Sequence, residues 1–110
     1  MQLDFGFDDA FELHYSMIEP LIFVEEYIEP EAKNYVEYTF LCFHGKPEYI
    51  RVKTVDGADY MNIYDINWND TGVWFGHDTY PTVKKPDNLE ELVELAKKLC
   101  QDFVHVRVDF

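Results

Sequence analysis

The chain has 110 residues, of which 47% are hydrophobic and 17% are aromatic, and this supports one domain with its own core. Its formal net charge of −13 repels nucleic-acid backbones and anionic membrane surfaces, so we expect no nucleic-acid partner. No apolar run approaches the roughly 20 residues that cross a bilayer, so we expect no membrane insertion.

The first twenty residues have the least regular pattern. Leu3, Phe5 and Phe7 alternate as in a strand, whereas residues 8–13 have the composition of a helix start, and the pattern does not decide between them. This start is acidic and lacks the basic region of a secretory signal, which predicts a cytoplasmic protein.

A strand is predicted over Leu21–Glu29, where four apolar residues precede Glu25 and Glu26, and Pro30 ends it. Neighbouring strand residues point to opposite faces, so these two carboxylates cannot act together as a catalytic pair. Either one of them faces a pocket or the pair is a solvated strand end.

A hairpin is predicted over Val36–Thr54, with its turn at His44–Pro47. Gly45 can adopt the positive φ that such turns need, and Pro47 suits a strand start because it cannot donate a ladder hydrogen bond. The second half of the first arm is apolar on both faces, which predicts a strand that is covered on both sides.

The region after the hairpin contains a further strand and then a loop. Alternation predicts a strand over Tyr60–Trp68, followed by a short apolar strand at Val73–Phe75. Two prolines and the lack of periodicity predict a loop over Gly76–Pro86.

A helix is predicted from Leu89 to Cys100 or Gln101, because its apolar residues recur at helical spacing. Asp87 and Asn88 are both suited to cap its start. A final strand is predicted over Phe103–Phe110. The order of elements predicts one α+β domain over residues 1–110, with a largely antiparallel sheet.

The sequence contains few groups that suggest chemistry. Cys42 and Cys100 are far apart and belong to no zinc motif, so we expect reduced core thiols. The four histidines are dispersed, and no catalytic residue can be named. Asp109 lies in an apolar strand, where pairing with Arg107 or binding of a metal would offset the cost of its charge.

Four segments, in this order, resemble a known family. They are LIFVEEYIE from Leu21, EYTFLCFHGKPEYIRV from Glu37, IYDINWN from Ile63, and KKPDNLEELVELAKKLCQDFVHVRVDF from Lys84. Together they resemble the TupA-like ATP-grasp proteins of teichuronopeptide and polysaccharide biosynthesis, over residues 21–110.

The resemblance implies a nucleotide site and a metal site. By resemblance, Glu25, Glu26, Tyr27 and Ile28 lie along the edge that holds the adenine base. Asp109 is similar to the first Mg²⁺-binding carboxylate of the family, and the implied cofactors are ATP and Mg²⁺. Such a metal would bridge phosphate oxygens as an acyl phosphate forms.

The chain also departs from the family pattern. Thr39 stands where the family has a lysine, so a cation that faces the phosphates is expected to be lost. The family's second metal-ligand strand and its phosphate-covering loop have no counterpart, and we expect a partial domain that is not catalytically complete alone. It would be a fragment, a small descendant without the chemistry, or half of a split or oligomeric site.

Two functions therefore remain open. One is an ATP-grasp-like domain related to ATP-dependent enzymes of cell-surface polysaccharide biosynthesis. The other is a non-catalytic acidic interaction module that self-associates, since an incomplete fold leaves a sheet edge or face uncovered. The expected partner is a second copy of the chain or a complementary segment.

Overall fold

The computed structural model describes residues 16–26, 35–56 and 58–110. Within them lie β1 (Tyr35–Phe43), β2 (Lys46–Val55), β3 (Asp59–Asp65), α1 (Leu89–Cys100) and β4 (His105–Asp109). The strands form one sheet in the order β3-β2-β1-β4, and every neighbouring pair is antiparallel. This arrangement confirms the predicted α+β class with a largely antiparallel sheet and one C-terminal helix.

The hairpin between β1 and β2 contains a β-bulge. Leu41 pairs with Tyr49 and Cys42 pairs with Pro47, so Glu48 is the extra residue on β2. A bulge shifts the register by one residue. Each residue of β1 from Leu41 back to Tyr35 therefore pairs one position further along β2 than it would without the bulge. Thr39 consequently lies opposite Arg51.

One face of the sheet and α1 enclose the core. Phe40 and Cys42 of β1, Ile50 and Val52 of β2, and Val108 of β4 cluster with the apolar face of the helix. From α1 the buried residues are Leu89, Leu92, Val93, Ala96 and Cys100. Phe40, Ile50, Val52, Ala96 and Cys100 have no exposed surface, so this layer excludes water and holds the helix against the sheet.

The ends of α1 agree with the sequence prediction, but its cap does not. Glu90 and Glu91 lie in the first turn and Lys97 and Lys98 in the last, as the helix dipole favours. Asn88 occupies the N-cap position without a side-chain hydrogen bond, because its backbone (φ −102°, ψ 24°) lies outside the extended region typical of capping residues. The predicted side-chain cap is therefore wrong.

The segment after β3 returns along the outer edge of that strand. Backbone hydrogen bonds join Asp65 to Asn69, Ile63 to Thr71 and Met61 to Asp78. These bonds pair the backbone groups on the outer edge of β3 with an irregular segment. The predicted short strand at Val73–Phe75 is not formed.

Residues 21–26 lie outside the sheet and contain no strand, which corrects that part of the prediction for Leu21–Glu29. Leu21, Ile22, Phe23 and Val24 are 76–99% exposed, so strand propensity alone is not sufficient without a pairing partner. The rest of that predicted strand lies outside the described residues. Across the described ranges, no helix is long and apolar enough to cross a membrane.

Candidate functional site

The candidate site lies on the sheet face opposite the helix, which we call the second face. Residues of each strand alternate between the two faces, so burial of Phe40, Ile50 and Val108 beneath α1 places their neighbours on the second face. The polar residues of this face include Glu37 and Thr39 on β1, Arg51 and Lys53 on β2, and Arg107 and Asp109 on β4. The core packing therefore fixes where these polar groups lie.

Asp109 forms an ion pair on this face. Its Oδ2 atom lies 3.2 Å from Nη2 of Arg107, and about half of each side chain is exposed (54% and 55%). The ion pair expected from the two-residue spacing is present. Because both groups are half in water, the pair stabilises the fold only weakly, and the carboxylate is accessible to solvent cations.

Thr39, Arg51 and Asp109 lie in one row across three strands. Thr39 pairs with Arg51 on one side and with Asp109 on the other. Nη2 of Arg51 donates a 3.0 Å hydrogen bond to Oγ1 of Thr39, and Thr39 is only 3% exposed. The guanidinium of Arg51 is thus directed from β2 across β1, toward the strand that carries Asp109.

Lys53 is the second cation of β2 on this face, and it has a different environment. Its Nζ atom lies 3.2 Å from Oδ2 of Asp59. The hydrogen bond with Asp59, followed by the negative charge of Asp59, raises the pKa of Lys53. Its charge is therefore already balanced by a carboxylate.

The residues that resemble the adenine-binding edge are only partly described. Glu25 and Glu26 are exposed and lie in a segment without regular secondary structure. Tyr27 and Ile28 lie outside the described residues. Within the described ranges, no hydrogen bond or ion pair joins Glu25 or Glu26 to Asp109.

The fit of the second face to a metal depends on phosphate. Across residues 16–26, 35–56 and 58–110, no three His, Cys, Asp or Glu side chains are grouped closely enough to hold a metal ion. Asp109 is thus a single carboxylate with an arginine beside it. Mg²⁺ is commonly held by one or two carboxylates together with substrate phosphates, so this face fits Mg²⁺ that arrives with a nucleotide better than the free ion.

Other features of the described structure are less suited to chemistry. Two open concavities of about 540 and 420 Å³ lie beside α1 and are lined by residues such as Ile66, Glu94 and Lys97, away from the row that contains Asp109. Both thiols are free and buried. Burial, followed by the hydrogen bond and charge of Cys100, raises the pKa of Cys42 to about 12, so this thiol is not an activated nucleophile.

Arg51 is a functional candidate that sequence reasoning alone does not identify. Alternation along β2 places it on a face with Lys53, but its position next to Thr39 depends on the bulge at Glu48. Without that bulge, Thr39 would face Ile50. The useful signal is Arg51 on the strand paired with Thr39, where the resemblance implies a family lysine, and this signal requires the register to be known.

Comparison with known proteins identifies a family. The model of the family described as TupA-like ATPgrasp matches residues 7–110. The search of curated proteins and the search of solved structures both returned no match. Since the family match extends over nearly the whole sequence, the chain belongs to the TupA-like ATP-grasp family.

Proposed function

We propose that the chain is the nucleotide-binding part of an ATP-dependent enzyme of cell-surface polysaccharide biosynthesis, and that it binds Mg-ATP on the second face. The observation that carries this proposal is the position of Asp109. It is an accessible carboxylate in a row with Thr39 and Arg51, on the face that α1 leaves free.

In this proposal Asp109 contacts Mg²⁺ together with phosphate oxygens of the nucleotide. The metal would neutralise phosphate charge and hold the phosphates in one orientation. Arg107 limits the rotation of this carboxylate through the 3.2 Å contact between the two side chains. Because a single carboxylate is a weak Mg²⁺ ligand, metal binding and nucleotide binding should depend on each other.

The adenine base is proposed to lie along Glu25–Ile28. Support comes from the family resemblance and from the exposure of Glu25 and Glu26, whose amide and carbonyl groups belong to no described strand. Recognition of a base by backbone groups requires such free groups, since each non-proline residue offers one donor and one acceptor.

Calorimetric titration tests the proposal. Mg-ATP should bind the wild-type chain, and ATP with excess EDTA should bind much more weakly. Asp109→Ala should weaken binding of Mg-ATP about tenfold but leave binding of metal-free ATP nearly unchanged. Glu25→Lys should weaken both. The proposal is wrong if Mg-ATP gives no heat at millimolar concentration, or if both variants bind as tightly as the wild type.

Exposed apolar residues favour a second candidate function, a self-associating interaction module. Leu21, Ile22, Phe23 and Val24 are 80%, 99%, 76% and 95% exposed in succession. Consecutive exposed apolar residues commonly mark interaction sites. Sedimentation of the wild type and of an Ile22→Glu, Val24→Glu double variant tests this candidate. A concentration-dependent dimer that the double variant abolishes would support it, and a concentration-independent wild-type monomer would exclude it.

A further inference from the structure

Arg51 has an unusual electrostatic environment. Its side chain is half-buried, and its Nε atom is buried without a hydrogen-bond partner. Across the described parts of the chain, Arg51 makes no ion pair, whereas Lys53 and Arg107 on the same face are each paired with an aspartate. A charge that is partly removed from water without a counter-charge reduces stability, so Arg51 is expected to destabilise the fold when no anion is bound.

A hydrogen bond to Thr39 fixes the direction of the Arg51 side chain. The single bond from Nη2 of Arg51 to Oγ1 of Thr39 points the guanidinium across β1. Thr39 is 3% exposed, so the acceptor oxygen is fixed by the sheet and shielded from competing water. A guanidinium has five N–H donors in a planar fork, and only one of them is used here.

We propose that Arg51, positioned by Thr39, binds the polyphosphate chain of the nucleotide on the second face. This inference rests on the proposed function and assigns it an anion-binding residue. Neighbouring strands are about 4.8 Å apart, so the backbones of Arg51 and Asp109 are separated by about 10 Å across β1. Asp109 would hold the metal from β4, and the guanidinium of Arg51 would donate to phosphate oxygens from β2.

The chemistry favours phosphate over other anions at this position. Free guanidinium donors in a planar fork match the geometry of phosphate oxygens, and charge-assisted bonds of this kind are short and strong. The net charge of −13 disfavours anions elsewhere on the chain, so an unpaired cation held in place is a local exception. A bound phosphate would also supply the missing counter-charge of Arg51.

The test compares three variants with three probes. The probes are Mg-ATP, inorganic tripolyphosphate with Mg²⁺, and adenosine. Arg51→Gln should weaken binding of Mg-ATP and of tripolyphosphate about tenfold or more, since bonds to charged groups are stronger than neutral ones, and should leave adenosine binding unchanged. Thr39→Val, which removes the acceptor but keeps the shape, should weaken both phosphate probes about two- to tenfold.

Lys53→Gln is the matched control, because it removes the same charge from the same strand and face but from a residue already paired with Asp59. It should change binding of the phosphate probes by less than about twofold. Thermal melting of each variant confirms that the fold is retained. If Arg51→Gln does not fold, Thr39→Val carries the test.

The outcomes separate this inference from the proposed function. If the wild type binds Mg-ATP and both Arg51→Gln and Thr39→Val bind it equally well, the inference is wrong and the proposed function stands. If the wild type binds tripolyphosphate through Arg51 but binds ATP no better, the anion site is supported and the nucleotide function is not. If neither probe binds the wild type, both are overturned.

Discussion

Asn62 and Tyr80 exchange two hydrogen bonds across 18 residues of sequence. Nδ2 of Asn62 donates to the Tyr80 carbonyl at 3.2 Å, and the Tyr80 amide donates to Oδ1 of Asn62 at 2.9 Å. Asn62 is only 2% exposed, and its side-chain amide pairs with the backbone of Tyr80 as a neighbouring strand would. It fixes the loop after β3 against the sheet edge.

Asn62→Leu should therefore destabilise the protein. It leaves the amide and carbonyl of Tyr80 without their partners, and such losses cost about 1–3 kcal/mol. Urea denaturation measures the effect. Asn67→Ala is the control, because Asn67 is exposed and its side chain makes no described bond, so it should change stability by less than about 0.5 kcal/mol. Equal stability of the two variants would contradict the role given to Asn62.

Gly45 should be sensitive to substitution because it combines positive φ with a close approach. Its φ is +74°, and a Cβ atom there would lie 3.0 Å from the carbonyl oxygen of Gln101 at the end of α1. Gly45→Ala should cost about 1–2 kcal/mol from the backbone conformation alone, with a further cost from the contact.

Gly76→Ala is the control that isolates the backbone contribution. Gly76 has a φ of +81°, and a Cβ atom added there would meet no atom of the described residues within 4 Å. Urea denaturation of both variants gives the comparison. If they lose the same stability, the contact between residue 45 and Gln101 has no energetic role.

The thiol of Cys42 should be inert in the native protein. Burial, then the neighbouring Cys100, raises its pKa from 9.0 to about 12, so the reactive thiolate is scarce at pH 8. A chromogenic disulfide reagent should label neither buried thiol quickly in buffer but should label both in guanidinium chloride. Rapid labelling of the native protein would contradict this placement of the two cysteines.

The same pKa shift predicts a direction for alkaline stability. The folded state favours the protonated thiol, so its contribution is complete below the unfolded pKa near 9.0 and decreases as pH rises toward about 12. Cys42→Ala should make the loss of stability between these pH values less steep. A wild type and variant with identical alkaline slopes would show that the thiol does not titrate in this way.

Asp65 should contribute to stability in acid. Its carboxylate accepts bonds from the Asn69 side chain at 2.8 Å and from the amides of Asn69 and Asn67 at 2.9 and 2.8 Å. The Asn69 bonds are the main cause that lowers the pKa of Asp65 below 3.8. Its contribution should thus be present above pH 3.8 and be lost as pH falls through the lower folded value. Titration of the Asp65 carboxyl by NMR checks this, and a midpoint at or above 3.8 would contradict it.

The elements with a strong local pattern could be predicted from the sequence. The stripe of Leu89, Leu92, Val93 and Ala96 identifies α1, and β-branched and aromatic residues around Gly45 identify the hairpin. Leu21–Val24 has the same strand propensity but forms no strand, because propensity does not supply a partner with which to pair.

Less of the candidate site than of the fold could be predicted from the sequence. Asp109 and its pairing with Arg107 follow from alternation in a strand. The contact between Arg51 and Thr39 depends on the one-residue bulge at Glu48. Pro47 beside it suits either a strand start or a bulge, so the sequence does not fix the register. The contribution of Glu25–Ile28 stays a prediction based on resemblance.

Amide shift mapping by NMR tests the central claim most directly. The ¹⁵N-labelled chain is titrated with Mg-ATP, and the amides that shift are located on the sheet. We expect the largest shifts at Thr39, Arg107 and Asp109 on the second face, together with Glu25 and Glu26. Shifts confined to α1 and the concavities beside it, or no shifts at millimolar Mg-ATP, would contradict binding on the second face.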